Sequence, residues 1–432
     1  MIEERKLRGP QFCAVGVNYS TTPVAVREKL SIPKAEIQEA LASLRDYVPR
    51  GIILDTCNRS ELYALSNDSH YSERALRQFL EDWSGVSEEE LSPHLYTHHN
   101  YRAMKRLCRI TSGLYSMILG EHEILGQVAQ ALEEAEEAKM IDPPLRRLFQ
   151  HAISTGRKVR SDTDISKNAL SVGSVAVDLS TRVTSMDIHK CKVLLLGAGE
   201  AGKLVARAFA QRGASSVSVT SRSLRRAQEL ASSLGADAID IKEMGMEMAN
   251  SDIVISCTGS PHFVIHRELV EKAMSWRSGR PLVIVDIAVP RDVEPEIREI
   301  DNVFLYDIDD LDRALGTNQE ERESEVEKAE AIIDSELEHL LEWWQTLEVK
   351  PTIGRLMQMA EDVRQRQLNM TLKKLPPLNA EQQENLDAMT KAIVKKILHN
   401  PIQYMKKNGH TNEEVVRVLR ELFALDEQKE RK

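Results

Sequence analysis

Apolar and polar positions divide the 432-residue chain into three patterns. In the first third, short apolar runs alternate with helical periodicity. FCAVGVNYS (12–20) and GIILDTC (51–57) read as buried strands ending in polar turns, and residues 34–47 between them as a helix. That is a small α+β domain. From about Ser72 the period becomes helical, strongly so in EHEILGQVAQALEEAEEAKM (121–140), which Asp142-Pro143-Pro144 closes. A further helical stretch leads to a boundary near Asp164. Residues 191–223, CKVLLLGAGEAGKLVARAFAQRGASSVSVTSRS, then run as apolar strand, glycine turn, amphipathic helix and second strand. The apolar runs DIVISCTGS, PLVIVDIAVP and NVFLYDID follow, as a doubly wound parallel sheet requires. In the last third Val326, Ala329, Ile333, Leu337, Leu340, Trp344 and Leu347 recur at three- and four-residue steps, the seam of a long helix that Pro351 is expected to interrupt. Two more amphipathic helices follow, joined by Pro376-Pro377-Leu378-Asn379. Their broad apolar faces must be buried on one another, as a self-contained cap, or on a second copy; dimerisation is the favoured reading. The predicted architecture is α/β and multidomain: an N-terminal α+β substrate domain over 1–164, a Rossmann-type doubly wound domain over 165–311, and a linking helix with an all-α dimerisation domain over 312–432.

A hydrophobic content of 42% with 29% charged residues is that of a globular chain. No apolar run approaches the ~20 residues of a membrane helix, and the opening MIEERKLRGP has no apolar segment, so a cytoplasmic protein with no membrane partner is expected. The five cysteines are scattered without a CxxC pair, which predicts free thiols and no bound metal. A net charge of -10 argues against general nucleic-acid binding and against DNA. The charge is uneven, however. Residues 318–342 hold ten acids and two bases, whereas 346–432 hold sixteen bases and twelve acids. Solvated helix faces explain both runs, and a local basic surface for RNA, around Lys158, Arg160, Lys391, Lys395, Lys396, Lys406 and Lys407, stays open.

Between strand and helix, Gly197-Ala198-Gly199-Glu200-Ala201-Gly202 is the turn that holds a dinucleotide pyrophosphate on backbone N–H groups and a helix N-terminus. NAD-binding versions carry an acid at the end of the second strand. Here that place reads Thr220-Ser221-Arg222. A hydroxyl and a guanidinium bind a 2′-phosphate where a carboxylate would repel it, so NADPH is the expected cofactor, unless the arginines only decorate a helix start.

Cys57 follows a strand and is flanked by Thr56, Asn58, Arg59 and Ser60, which supply hydrogen bonds and one positive charge. Such surroundings lower a thiol pKa. On these residues alone, packing and catalysis both stand. The run TCNRSELY (56–63), with GVNYSTTPVAVREKL (16–30), SGLYSMILGEHEILGQV (112–128), GRKVRSDTDI (156–165), GAGEAG (197–202) and VDIAVPRDVEP (285–295), resembles glutamyl-tRNA reductase, in the same order and over residues 12–311. The helical tail is similar to that family's dimerisation domain in pattern. The resemblance implies NADPH-dependent reduction of glutamyl-tRNA(Glu) to glutamate-1-semialdehyde, the first step of tetrapyrrole synthesis, through a thioester on Cys57. It implies that Arg59 meets a substrate carboxylate and that Thr56, Asn58, Ser116, Glu121, His122, Glu123 and Gln127 surround the substrate. A homodimer and transfer of product to glutamate-1-semialdehyde aminomutase are implied as well.

Two departures from the family pattern stand out. Many members carry a histidine tied to catalysis where this chain has Arg106, which leaves the general-base role open: an arginine there favours the thiolate electrostatically, and His98 and His99 read as a loop pair that is either solvent-exposed or catalytic. Glu123 stands where members commonly have Gln. The alternatives are a shikimate-type NADPH dehydrogenase, which leaves TCNRSELY without a role, and a catalytically silent tRNA- or NADPH-binding regulator.

Overall fold

The first sheet is built around two strands buried at nearly every position, on both faces. The computed structural model describes residues 10–121, 123–166, 172–184, 187–315, 320–408 and 413–425. Strands β1 (Gln11–Asn18), β2 (Gly51–Thr56), β3 (Arg59–Ser66) and β4 (Tyr96–His99) form a four-stranded sheet in the order β2-β3-β1-β4. β2 and β3 are antiparallel with Thr56 opposite Arg59, which leaves Cys57 and Asn58 as a two-residue hairpin turn. β4 runs antiparallel to β1, with Ala14 opposite His98 and Cys13 opposite His99. The two histidines therefore lie on a strand and not on a loop, as the sequence pattern suggested. Four residues are too few to show a period.

The second sheet is parallel and six-stranded: β5 (Lys192–Leu196), β6 (Ser216–Thr220), β7 (Asp237–Ile239), β8 (Ile253–Ser256), β9 (Leu282–Asp286) and β10 (Val303–Asp307), in the order β10-β9-β8-β5-β6-β7. This is the doubly wound dinucleotide order, in which all strands run the same way and the strand order reverses between β5 and β8. Its apolar core takes in residues from the first third of the chain: Val24, Met117 and Ile118 belong to one cluster with Val193, Leu195, Val205, Ile255 and Val285. The α+β and dinucleotide regions accordingly form one compact unit, Phe12–Glu336.

A second unit takes in the chain from Leu337 onward. Helix Glu320–Leu372 runs through Pro351 without a break, contrary to the interruption expected. Proline removes one helical hydrogen bond. Val349, Ile353 and Leu356, on either side of it, are buried in one cluster with Leu398 and Met405 of helix Ala380–Asn408, and that packing offsets the loss. Among the described residues no helix is long and apolar enough to cross a membrane.

Candidate active site

The hairpin that carries Cys57 is held from several sides. Thr56 Oγ1 accepts hydrogen bonds from the backbone N–H groups of Asn58 and Arg59, each at 3.2 Å, closing the turn on itself. The Tyr19 N–H donates to the Asn58 carbonyl at 2.9 Å. The Arg27 guanidinium donates to the Cys57 carbonyl. Cys57 is half-buried, whereas Cys13, Cys108, Cys191 and Cys257 are buried. Two buried polar atoms beside it, Asn58 Oδ1 and Arg59 Nε, have no hydrogen-bond partner among the described residues. An acceptor and a donor in that state cost stability unless a ligand meets them.

Electrostatics around the sulfur run against the sequence expectation. Burial, followed by the carboxylates of Glu121 and Glu123, pushes the Cys57 thiol up to about 12, and Arg27 and Arg59 pull it down by less. Cys57 is thus a protonated thiol at neutral pH. Burial, then Glu121, then Glu200 pushes Glu123 up to about 7. Glu200 belongs to the glycine turn, so carboxylates of the α+β and dinucleotide regions act on one another here. Glu121 sits just past Gly120, whose φ of +79° only glycine adopts without strain; a Cβ there would lie 2.0 Å from the Ile165 carbonyl oxygen. Gln127 lies one turn beyond Glu123 on helix Glu123–Glu137. Ser116 is buried, and its carbonyl accepts from the Tyr19 hydroxyl at 3.3 Å. His122 lies outside the described residues.

Arg106, His98 and His99 belong to a neighbouring cluster. Glu61 is fully buried at its centre, accepting from Arg59 at 3.2 Å, from Arg106 at 2.9 Å and from the Tyr96 hydroxyl at 2.7 Å. Burial would raise its pKa, but the Arg106 and Arg59 charges outweigh that and hold it at about 2. Arg106 also lies 3.9 Å over the Tyr96 ring. His98 tilts against Tyr96 at 5.6 Å, and burial with the Arg106 charge lowers its pKa. His99 bonds Glu73 at 3.0 Å. Glu61 went unseen in the sequence, although period two on β3 puts it on the face of Arg59 and Tyr63.

The glycine turn is shaped by close approach. A Cβ on Gly197, whose φ is +121°, would lie 2.6 Å from the Cys257 carbonyl oxygen, and one on Gly202 would lie 2.3 Å from the Gly197 carbonyl oxygen. Gly199 faces open space, with nothing within 4 Å of its Cβ position. Glu200 and Ala201 open helix Glu200–Gln211 on the exposed side, and Ala198 packs against the shared core, as does Cys57. Ser221 Oγ accepts from the Ser223 N–H at 3.2 Å just past β6, and the exposed Arg222 stands between them. An open N-terminus beyond Gly199 and a guanidinium beside it fit a nicotinamide dinucleotide.

Residues 15–163 match the family described as glutamyl-tRNAGlu reductase, N-terminal domain, and residues 328–425 match its dimerisation domain. A protein of Carboxydothermus hydrogenoformans named glutamyl-tRNA reductase is 39% identical over 96% of this chain and 93% of its own length. This chain belongs to the glutamyl-tRNA reductase family. The reductase of Bacillus subtilis is 36% identical, covering 96% of this chain and 91% of that one. Among solved structures, the glutamyl-tRNA reductase of Methanopyrus kandleri is 31% identical, covers 96% of this chain and 99% of that chain, and superposes with a TM-score of 0.49. Residues 178–314 match shikimate / quinate 5-dehydrogenase. That likeness is confined to the dinucleotide region and leaves the Cys57 hairpin outside it.

Proposed function

We propose that this chain reduces glutamyl-tRNA(Glu) to glutamate-1-semialdehyde with NADPH, through a thioester on Cys57, as the first step of tetrapyrrole synthesis. The observation that carries the reading is the packing of the Cys57 hairpin against the same apolar cluster as Ala198 of the glycine turn. A sulfur that must hold an acyl group and a cofactor that must reduce it need this proximity.

The esterified glutamyl group brings an α-ammonium and a side-chain carboxylate. Glu121 and Glu123 are the anions beside Cys57, and Arg59 is the buried cation with an unpaired Nε. Burial is the larger reason the thiol stays protonated, and an ammonium seated against the two carboxylates offsets the charges that add to it, so substrate arrival lowers the Cys57 pKa. The thiolate attacks the ester carbonyl, the acyl–oxygen bond to the ribose breaks, and the tRNA leaves with a proton on its hydroxyl. Ser221 and Arg222, at the end of β6 beside the glycine turn, would hold the 2′-phosphate of NADPH, which when bound would supply the hydride that converts the acyl group to an aldehyde, the Cys57 sulfur leaving as a thiolate. Arg106 acts through Glu61, orienting Arg59, and touches no reacting atom. His98 and His99 hold β4 and its neighbours and are not given a proton-transfer role. The enzyme works in the cytoplasm as a homodimer, and a reactive aldehyde product favours direct transfer to an aminomutase.

Cys57→Ser should abolish reduction while glutamyl-tRNA still binds. Incubating the wild-type protein with labelled glutamyl-tRNA in the absence of NADPH, followed by digestion and mass spectrometry, should place the label on the peptide containing Cys57. Label on any other residue, or turnover by the serine variant, overturns the covalent route.

A further inference from the structure

The run containing Arg27 and Glu28 and the run containing Arg291 lie far apart in the chain, and neither supplies a group to the chemistry above. The structure joins them. Arg27 is 2% exposed and donates from three nitrogens: Nε to the Thr22 carbonyl at 3.1 Å, Nη1 to the Cys57 carbonyl, and Nη2 to the Asp309 carboxylate. Asp309 lies in the dinucleotide region, on helix Ile308–Leu315. Its second oxygen accepts the Val24 N–H at 2.9 Å, supplying to helix Val24–Leu30 the cap that Pro23 has no side chain to provide. One residue further along, Glu28 takes a bidentate pair from Arg291, at 2.9 Å from Nε and 2.7 Å from Nη2. Arg291 follows β9 in the dinucleotide sheet.

We propose that Arg27 is a positioning residue for the reductive half of the reaction: it ties the backbone of Cys57 to Asp309, and with the Glu28–Arg291 pair it latches the α+β region onto the dinucleotide region, setting the acyl-sulfur at the distance hydride transfer requires. The proposal rests on the Cys57 reading above. Its physical basis is that one guanidinium is shared between the nucleophile's own carbonyl and the opposite region, so neither can shift without the other. Hydride transfer demands contact within ~3.5 Å, and a displacement of about 1 Å costs on the order of 100-fold in rate. Thioester formation makes no such demand on the dinucleotide region.

The test separates the two halves. Glu28→Arg and Arg291→Glu each lower NADPH-dependent semialdehyde formation at least tenfold, and the double variant, with the pair reversed, recovers most of it. Release of tRNA from glutamyl-tRNA without NADPH stays within about threefold of wild type in all three, since acyl transfer needs only the α+β region. Asp309→Asn gives the same split, and hydrogen exchange at the Val24 amide accelerates in every single variant, a readout independent of the cofactor. Thermal midpoints confirm folding; should Asp309→Asn fail to fold, the Glu28–Arg291 cycle, whose side chains are 18% and 17% exposed, decides alone. Single variants that reduce at the wild-type rate, a double variant no better than the product of the singles, or tRNA release that falls in step with reduction overturns the latch. Absence of any Cys57 adduct in the wild type overturns the covalent reading instead, and the charge-reversal cycle still reports on the latch.

Discussion

At the scale of the residue, the decisive feature is a thiol made less acidic by its surroundings. A cation next to Cys57 in sequence suggested the opposite, because sequence shows Arg59 as a neighbour and does not show that Glu121 and Glu123, over sixty positions away, close on the same sulfur. Glu123 is one of the two positions read as departures from the family pattern, and its charge has a consequence for stability. Its folded pKa of about 7 lies above the ordinary 4.5, so ionising it costs the folded state free energy. The penalty is absent below about pH 4.5, grows as pH rises, and is complete above about pH 7. Glu123→Gln should therefore stabilise the protein at pH 8 by roughly 1 kcal/mol, after discounting for solvent screening, and leave it unchanged at pH 4.5. Denaturant unfolding at the two values reads this directly. The same substitution removes an anion beside the sulfur. Alkylation of Cys57 at pH 8 should accelerate by about three- to tenfold, one pKa unit being tenfold in thiolate. Equal alkylation rates would show that Glu123 does not govern the thiol.

Elements differ in how openly the sequence displays them. The glycine turn was legible because strand, turn and helix each leave a signature; two of its glycines stand where backbone approaches backbone, Gly197 against Cys257 and Gly202 against Gly197, while Gly199 faces open space. Five of the six parallel strands were legible in the sequence, all but β7, which is three residues long. β3 was not, because Arg59, Ser60 and Glu61 at its start are buried polar residues that only a tertiary partner satisfies, and β4 was too short. Helix Glu320–Leu372 misled in the other sense: Pro351 signals a break, and burial on both sides of it prevails. For the site, the sequence pointed to substrate contacts at Thr56 to Arg59, Glu121 and Glu123, and the structure sets Glu121 and Glu123 beside the sulfur; the sequence could not show that Arg106 pairs with Glu61. Local geometry at the end of β6 supports one element-scale prediction. With Ser221 and the exposed Arg222 there and no acid, Arg222→Asp should shift the ratio of kcat/KM for NADPH over NADH by at least tenfold toward NADH, since it replaces an attraction for the 2′-phosphate with a repulsion. An unchanged ratio would reject the assignment.

For the molecule as a whole, the question is what covers the helical unit that begins at Leu337. On helix Ala380–Asn408, Met389, Ile393 and Ile397 follow one another at four-residue steps, with Tyr404 seven further on, and they are 53%, 49%, 67% and 55% exposed in the single chain. A stripe of that spacing lies along one helix face. Lone apolar residues on a surface are ordinary, but an aligned stripe is a contact surface. The match of residues 328–425 to a dimerisation domain names the occupant as a second copy. Burying such side chains contributes roughly 1.5–3 kcal/mol each, and a two-fold interface counts every one twice. Ile393→Glu combined with Ile397→Glu should then convert the dimer to a monomer in light scattering at micromolar concentration, with the helical circular dichroism of the chain retained, because both positions face outward within the protomer. Release of tRNA without NADPH should survive in that monomer, since the Cys57 hairpin, Glu121 and Glu123 all lie within Phe12–Glu336. A double variant that remains dimeric would place the interface on another face of the helices.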